Sequence, residues 1–195
     1  MKQMVIATGN AGKVREYKEM LEPLGYEVKC LKDFPPVEII ENGKTFEENA
    51  LIKARTLFEH THIPCIADDS GLEIVALDHA PGIYSARWLG ENTSYDVKNA
   101  TILDLLKDKE DRRARFVCVI ALVNAEEEVT FRGDLYGEIA LEARGQNGFG
   151  YDPVFLNPSL GKTNAELDPE EKNAISHRGQ ATRKFLAHLR EKEDA

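Results

Sequence analysis

The sequence predicts an α/β protein with a mixed β-sheet flanked by helices, and three observations carry that expectation. Strand-like and helix-like patterns alternate through the first half of the chain. The second half is richer in strand, with two long apolar-patterned runs following each other. The chain closes on helical patterns, and no clean linker divides it. Its 195 residues suit a single domain, residues 1–195, long enough to bury a core.

Gln3 to Thr8 reads as a short buried strand, broken by Thr8-Gly9-Asn10. A helix follows with Val14, Tyr17, Leu21 and Leu24 on one face, and Gly25 ends it. Tyr26 to Cys30 reads as a second strand, and Phe34-Pro35-Pro36 begins a loop that runs to Gly43. Thr45 and Glu48 have capping-box spacing and open a helix with Ala50, Ala54, Leu57 and Phe58 inward. Pro64 to Ala67 enters a strand that Asp68-Asp69-Ser70-Gly71 is expected to break, because all three residue types favour turns. Extended structure is expected to resume from Leu72 to Leu77, followed by a turn at Pro81-Gly82. Thr93 is the expected cap of a helix carrying Val97, Ala100 and Leu103. Arg115 to Val123 and Val129 to Tyr136 read as neighbouring antiparallel strands, and Gly145 to Gly150 as a glycine-rich loop. Asp168-Pro169-Glu170-Glu171 is a strong helix start. The last helix places Ala181, Phe185 and Leu189 at i, i+4 and i+8.

Composition narrows the partners. A formal net charge of −9 argues against duplex nucleic acid, which asks for a basic face. It leaves room for a small polyanion, since a local group of cations can focus a field against the overall charge. Cys30, Cys65 and Cys118 are widely spaced with no C-x-x-C pair, which fits a reducing compartment and neither a disulfide framework nor a zinc site. The start of the chain is too poor in apolar residues for a signal peptide, and the longest apolar run, Phe116 to Val123, falls short of a membrane span. The expectation is a cytoplasmic protein with a small-molecule partner, and no nucleic acid or membrane.

Five strings could carry chemistry. Thr8-Gly9-Asn10-Ala11-Gly12-Lys13 joins a strand to a helix, where glycines let backbone approach a phosphate and the helix N-terminus favours an anion. The spacing is not that of a Walker A loop, and a plain turn with a surface lysine explains it equally well. Asp68-Asp69-Ser70-Gly71 sets two carboxylates side by side, a repulsive arrangement that a divalent cation would relieve. In extended backbone the two point to opposite sides, so one of them faces any ligand fully. Glu38 and Glu41 could supply a further carboxylate, with Glu41 preferred, and Lys53 could reach phosphates or lie in solvent. Gly148-Phe149-Gly150-Tyr151-Asp152-Pro153 sets small residues around aromatics, which suits either a stacked planar ligand or a tight turn. Lys172 and Ser176-His177-Arg178-Gly179 place donors near helix starts, or simply a capping serine with solvated cations.

The order of these strings is more specific than any one of them. Ala7-Thr8-Gly9-Asn10-x-x-Lys13-x-x-Glu16, Thr45-Phe46-x-Glu48-Asn49-Ala50 and Asp68-Asp69-Ser70-Gly71-Leu72 are followed by Ala80 to Arg87, Gly148 to Pro153 and Ser176 to Gly179. Across nearly the whole chain this series resembles the inosine triphosphate pyrophosphatase family, in its bacterial dITP/XTP form. The resemblance implies an elongated fold with two lobes and a central substrate cleft, usually a homodimer, and hydrolysis of non-standard purine triphosphates (ITP, dITP, XTP) with Mg²⁺. It implies that Thr8, Gly9, Asn10, Ala11, Gly12 and Lys13 line the triphosphate site, that Asp69 is proton acceptor and metal ligand, and that Glu41 is the second metal position. Ser70, Phe149, Gly150, Tyr151, Asp152, Lys172, His177 and Arg178 match substrate contacts; Lys53 is added as a candidate phosphate contact from its place on the helix alone. Trp88 and Asp78-His79 depart slightly from the family's pattern, and Asp33 to Ile40 match it least. Three other readings compete. They are a pyrophosphatase for pyrimidine or modified nucleotides, a metal-dependent phosphomonoesterase, and a regulatory module that binds nucleotide without turnover.

Overall fold

The computed structural model describes residues 1–195 as an α/β fold on one mixed seven-stranded sheet. β1 (Lys2–Ile6) leads through α1 (Ala11–Leu21) and a 3-10 turn at Glu22–Leu24 to β2 (Tyr26–Cys30). α2 (Phe46–Thr61) precedes β3 (Cys65–Ile74), and α3 (Tyr95–Leu106) precedes β4 (Arg113–Val123) and β5 (Glu128–Ile139). β6 (Phe155–Asn157) and β7 (Lys162–Thr163) complete the sheet, and α4 (Pro169–Ile175) and α5 (His177–Asp194) close the chain. The strand order is β2-β1-β3-β4-β5-β6-β7. β1 is parallel to β2 and β3, each reached by a helical crossover, whereas β6 is antiparallel to β5 and β7.

The chain divides into two compact units, Met1–Asp69 with Val119–Phe131, and Ser70–Cys118 with Arg132–Ala195. In the first, Met4-Val5-Ile6 and Cys65-Ile66-Ala67 are buried without interruption, as parallel strands covered on both faces should be. Ala50, Ala54 and Leu57 form the buried face of α2. In the second, Leu72, Ile74, Ile102, Leu106, Phe116, Ile139, Val154 and Phe155 pack as one core. Arg112 closes the end of α3 there, donating to the carbonyls of Leu106, Ile139 and Ala140.

Several local expectations need correction. Asp68-Asp69-Ser70-Gly71 does not break β3, which runs through it to Ile74. Cations from other elements hold both carboxylates, and the Ser85 hydroxyl accepts from Leu72 N at 2.9 Å, so tertiary contacts override turn preference. The strand ends in a 3-10 turn at Val75–Leu77 rather than running to Leu77. α3 is capped by Ser94, not Thr93, whose hydroxyl donates instead to Leu89 O at 2.6 Å. The inward face is accordingly Lys98, Asn99, Ile102 and Leu106, while Val97 is exposed. Leu24 belongs to the 3-10 turn after α1, and Phe58 is only half-buried. Thr45 caps α2 as expected, but Glu48 reaches back to Lys44 N at 2.5 Å instead of Thr45 N.

Candidate active site

Two groups of polar side chains stand out, one in each unit. In the first, Asn10 caps α1 by accepting from Gly12 N at 2.9 Å and Lys13 N at 3.2 Å, and Thr8 Oγ1 accepts from Asn10 N. Three donors of the Thr8–Lys13 turn are thereby committed within the chain. The turn's charged side chain is Lys13, whose ammonium meets Asp68 Oδ1 at 2.5 Å. Tyr17, buried on the next turn of α1, sets its hydroxyl 3.4 Å from Asp68 Oδ2. Ala11 and Gly9 also line a surface hollow of about 300 Å³ with Arg15, Lys18 and Lys32, but none of the carboxylates border it.

Lys53, projecting from α2, ties the group together. Its ammonium lies 3.0 Å from Glu41 Oε1, 3.3 Å from Asp69 Oδ1 and 2.7 Å from the Asp68 carbonyl. Glu41 rather than the exposed Glu38 takes this place because Gly43, two residues on, is docked against α2. Gly43 N donates to Asn49 Oδ1 at 2.9 Å, and an added Cβ there would come within 2.6 Å of the same oxygen. Asn49 is thus the residue that sets the Glu41 loop.

Asp68 and Asp69 do face opposite ways, and their environments differ. Asp68 has a cation on one oxygen and a phenol near the other. Asp69 Oδ2 is buried with no hydrogen-bond partner. Burial pushes the Asp69 carboxyl up to about 6, with Glu41 and Asp68 adding to the shift and Lys53 opposing it. Burial would lower Lys53, but Asp69, Glu41 and Asp68 outweigh it and raise the ammonium above its ordinary value. Three carboxylates, Glu41, Asp68 and Asp69, therefore share two ammonium groups. A further cation is the natural complement of such a group.

The second unit builds a different surface. Phe149 is 61% exposed, and two cations lie against its ring: Lys172 Nζ at 4.7 Å and Arg178 Cζ at 5.6 Å from the centroid. Asp152 aims Lys172, accepting from its ammonium at 2.5 Å and from Phe149 N at 3.0 Å on the same oxygen. Gly148 makes room for this: its φ is +71°, and an added Cβ would sit 2.2 Å from Asp152 Oδ2. Tyr151 is buried, and its hydroxyl donates to Ser85 O at 2.5 Å. Arg178 donates to Ser70 Oγ at 3.4 Å, on the residue that follows Asp69 in the chain. Ser176 caps α5, and the His177 ring stacks on Phe116 at 4.7 Å with an interplanar angle of 16°.

The structure thus gathers Lys13, Glu41, Lys53 and Asp69 in the first unit, and Ser70, Phe149, Asp152, Lys172 and Arg178 in the second. Gly150 and Tyr151 belong to the same loop as Phe149, and His177 precedes Arg178. The contact of Tyr17 with Asp68, the role of Asn49 and the structural part of Asp68 went unread in the sequence, which places Tyr17 only on the inward face of its helix. Only Asn49, inside the Thr45–Ala50 string, offered a signal that could have found one of them.

The carboxylate–ammonium group of the first unit suits a cation and phosphate, and the cation-flanked aromatic of the second suits a flat, acceptor-bearing ring. The chain belongs to the Ham1 family, whose model matches residues 4–188. It is 51% identical over 197 residues to a dITP/XTP pyrophosphatase of Bacillus licheniformis, covering 97% of this chain and 98% of that protein. It is 49% identical over 189 residues to a dITP/XTP pyrophosphatase of an Exiguobacterium species, covering 96% of each. The solved Ham1 protein of Staphylococcus aureus superposes with a TM-score of 0.93 at 43% identity, covering 98% of this chain and 100% of that one.

Proposed function

We propose that this chain hydrolyses non-standard purine nucleoside triphosphates (ITP, dITP and XTP) to the nucleoside monophosphate and pyrophosphate, cleansing the nucleotide pool. Residues 1–195 act as one pyrophosphatase domain. Asp69 carries the reading: it is a partly buried carboxylate with one buried, unengaged oxygen, in a group where three carboxylates share two ammoniums. The names of the Ham1 relatives agree with that chemistry.

The first-unit residues fit a hard divalent ion. One buried carboxylate oxygen is unpartnered, the group is short of positive charge, and its donors are oxygens. That suits Mg²⁺, which takes one or two carboxylates and fills its shell with water and substrate phosphates. Glu41 and Asp69 would hold it, and when bound it supplies charge neutralisation and polarisation of the phosphoryl oxygens.

Asp69 orients the attacking water and takes its proton. Asp68 does not compete for that task, since Lys13 and Tyr17 engage its carboxylate; it aims Lys13. Lys13 and Lys53 offset charge on the departing pyrophosphate, with Thr8, Gly9, Asn10, Ala11 and Gly12 lining the phosphate side. In the second unit the base stacks on Phe149, and Lys172, His177 and Arg178 donate to the purine O6. Ser70, Gly150, Tyr151 and Asp152 shape and orient that group. Adenine carries an amino group where inosine and xanthine carry O6, so it would leave these donors unpaired. A site built on such bonds can discriminate by about 10⁴-fold.

A homodimer in the cytoplasm, without nucleic acid or membrane as partner, completes the reading. No helix is long and apolar enough to cross a membrane, and light scattering tests the dimer. The direct experiment is to incubate the protein with ITP and Mg²⁺, with and without chelator, and identify the products. Metal-dependent release of IMP and pyrophosphate is expected. Orthophosphate would move the assignment to a phosphatase, and binding without turnover to a regulatory module.

A further inference from the structure

Lys98 is a fully buried cation that the reaction described above does not use. It lies on α3 at 1% exposure, and no carboxylate stands within ion-pair distance of it. Burying an ammonium without a counter-ion is costly, so whatever offsets it is a structural commitment of the fold. Here the compensation is a carbonyl and an aromatic face. Lys98 Nζ donates to Ala86 O at 2.8 Å and sits 4.7 Å from the centroid of the Tyr95 ring.

Both partners lead to the same loop. The Tyr95 ring meets Tyr151 edge to face at 5.1 Å and 90°. An added Cβ at Gly150 would lie 3.6 Å from Tyr95, so Gly150 rests on that ring. Ala86 follows Ser85, whose carbonyl accepts from the Tyr151 hydroxyl. Asn99, next to Lys98 on the helix, donates to Gly150 O at 3.0 Å. Residues 95, 98 and 99 share one face of α3 by their i, i+3 and i+4 spacing. That face therefore underlies Gly150 and Tyr151 directly, and Phe149 is the next residue outward.

We propose that Lys98 is a positioning residue for the purine. By holding Ala86 and the Tyr95 ring together, it fixes the Ser85–Tyr151 contact and the seat of Gly150, and so presents Phe149 at a set height for stacking. Lys98 acts on base affinity and not on phosphate chemistry, because every contact in this chain of residues lies in the second unit. The inference rests on the base-side reading of Phe149 given above.

Lys98→Met tests it, keeping the aliphatic stem while removing the donor and the charge. Calorimetry would measure IMP and, with Mg²⁺, inorganic pyrophosphate on the full chain. IMP binding is expected to weaken by about tenfold, the scale of one lost charge-assisted bond, with pyrophosphate binding unchanged. In turnover, KM for ITP rises while kcat holds. A purely structural role would instead lower melting temperature and weaken both ligands together, and that result overturns the proposal. Unchanged IMP binding overturns it as well. If the unsubstituted protein itself fails to bind IMP, the base-side reading falls and this proposal with it. Should Lys98→Met not fold, Tyr95→Leu at the more exposed end of the same contact carries the test, with the same selective loss of IMP expected.

Discussion

The two polar groups of this molecule solve opposite problems. In the first unit, charge is held by charge: Lys13 and Lys53 partly neutralise Asp68, Asp69 and Glu41, and a deficit of positive charge remains. In the second, Lys172 and Arg178 lie against an exposed ring, and Asp152 accepts from Lys172, Phe149 N and Asn164. The first arrangement asks for a cation and then for what that cation carries. The second asks for a flat, acceptor-bearing ring. A triphosphate group and a purine match that difference, and substitutions in each group should fail in different ways.

The largest expected effect belongs to Asp69. Asp69→Asn should fold normally and lose turnover of ITP by about 10²- to 10⁴-fold, the range of a positioned general base. Asp68→Asn, which acts through Lys13 and Tyr17, should cost less, on the order of tenfold. Steady-state kinetics of the pair rank them, and an inverted order would exchange their roles.

Next in size are Lys172→Met and Arg178→Met. Each should raise KM for ITP by about ten- to a hundredfold and narrow the preference for ITP over ATP. A fall in kcat at constant KM would break the division between the two groups.

The pH dependence of stability follows from Asp69. Its carboxyl titrates at about 6 in the folded, metal-free protein against 3.8 for the ordinary group. Between those values the folded state binds more protons than the unfolded one, so this group's contribution to stability falls as pH rises through the window. Above it, the ionised carboxylate destabilises the metal-free fold by on the order of 2 kcal/mol. Melting temperature without metal should therefore drop from about pH 4 to about pH 7 by more than in Asp69→Asn. Added Mg²⁺ should recover the loss in the unsubstituted protein only, since binding to the folded state stabilises it by mass action. Equal melting curves for the two proteins would contradict the burial of an unpaired oxygen.

Smaller effects test the supports. Asn49→Ala releases Gly43 N and should lower stability by about 1 kcal/mol while weakening Mg²⁺ activation. Gly148→Ala forces a side chain into a left-handed backbone against Asp152 and should destabilise by about 1–3 kcal/mol, with base affinity reduced.

Much of this was legible before the fold was known. The buried runs of β1 and β3, the Thr45 and Asp168 caps and the final helix follow from local patterns that tertiary packing reinforces. What could not be read depended on distant partners. Asp68 to Gly71 carries every mark of a turn, yet it is strand because Lys13, Lys53 and Ser85 hold it extended. The face of α3 was misread because a lysine and an asparagine take core positions, and no apolar pattern announces them. The string alone left Asp68 and Asp69 undivided and only the family resemblance singled out Asp69, whose unengaged oxygen depends on which cations choose Asp68 instead.

The division of labour is tested most directly by measuring Asp69→Asn twice, for turnover of ITP with Mg²⁺ and for affinity toward IMP. Turnover should fall by at least about 10²-fold while IMP binds within about twofold of the unsubstituted protein. Near-normal turnover, or loss of IMP binding in a folded variant, would contradict the account.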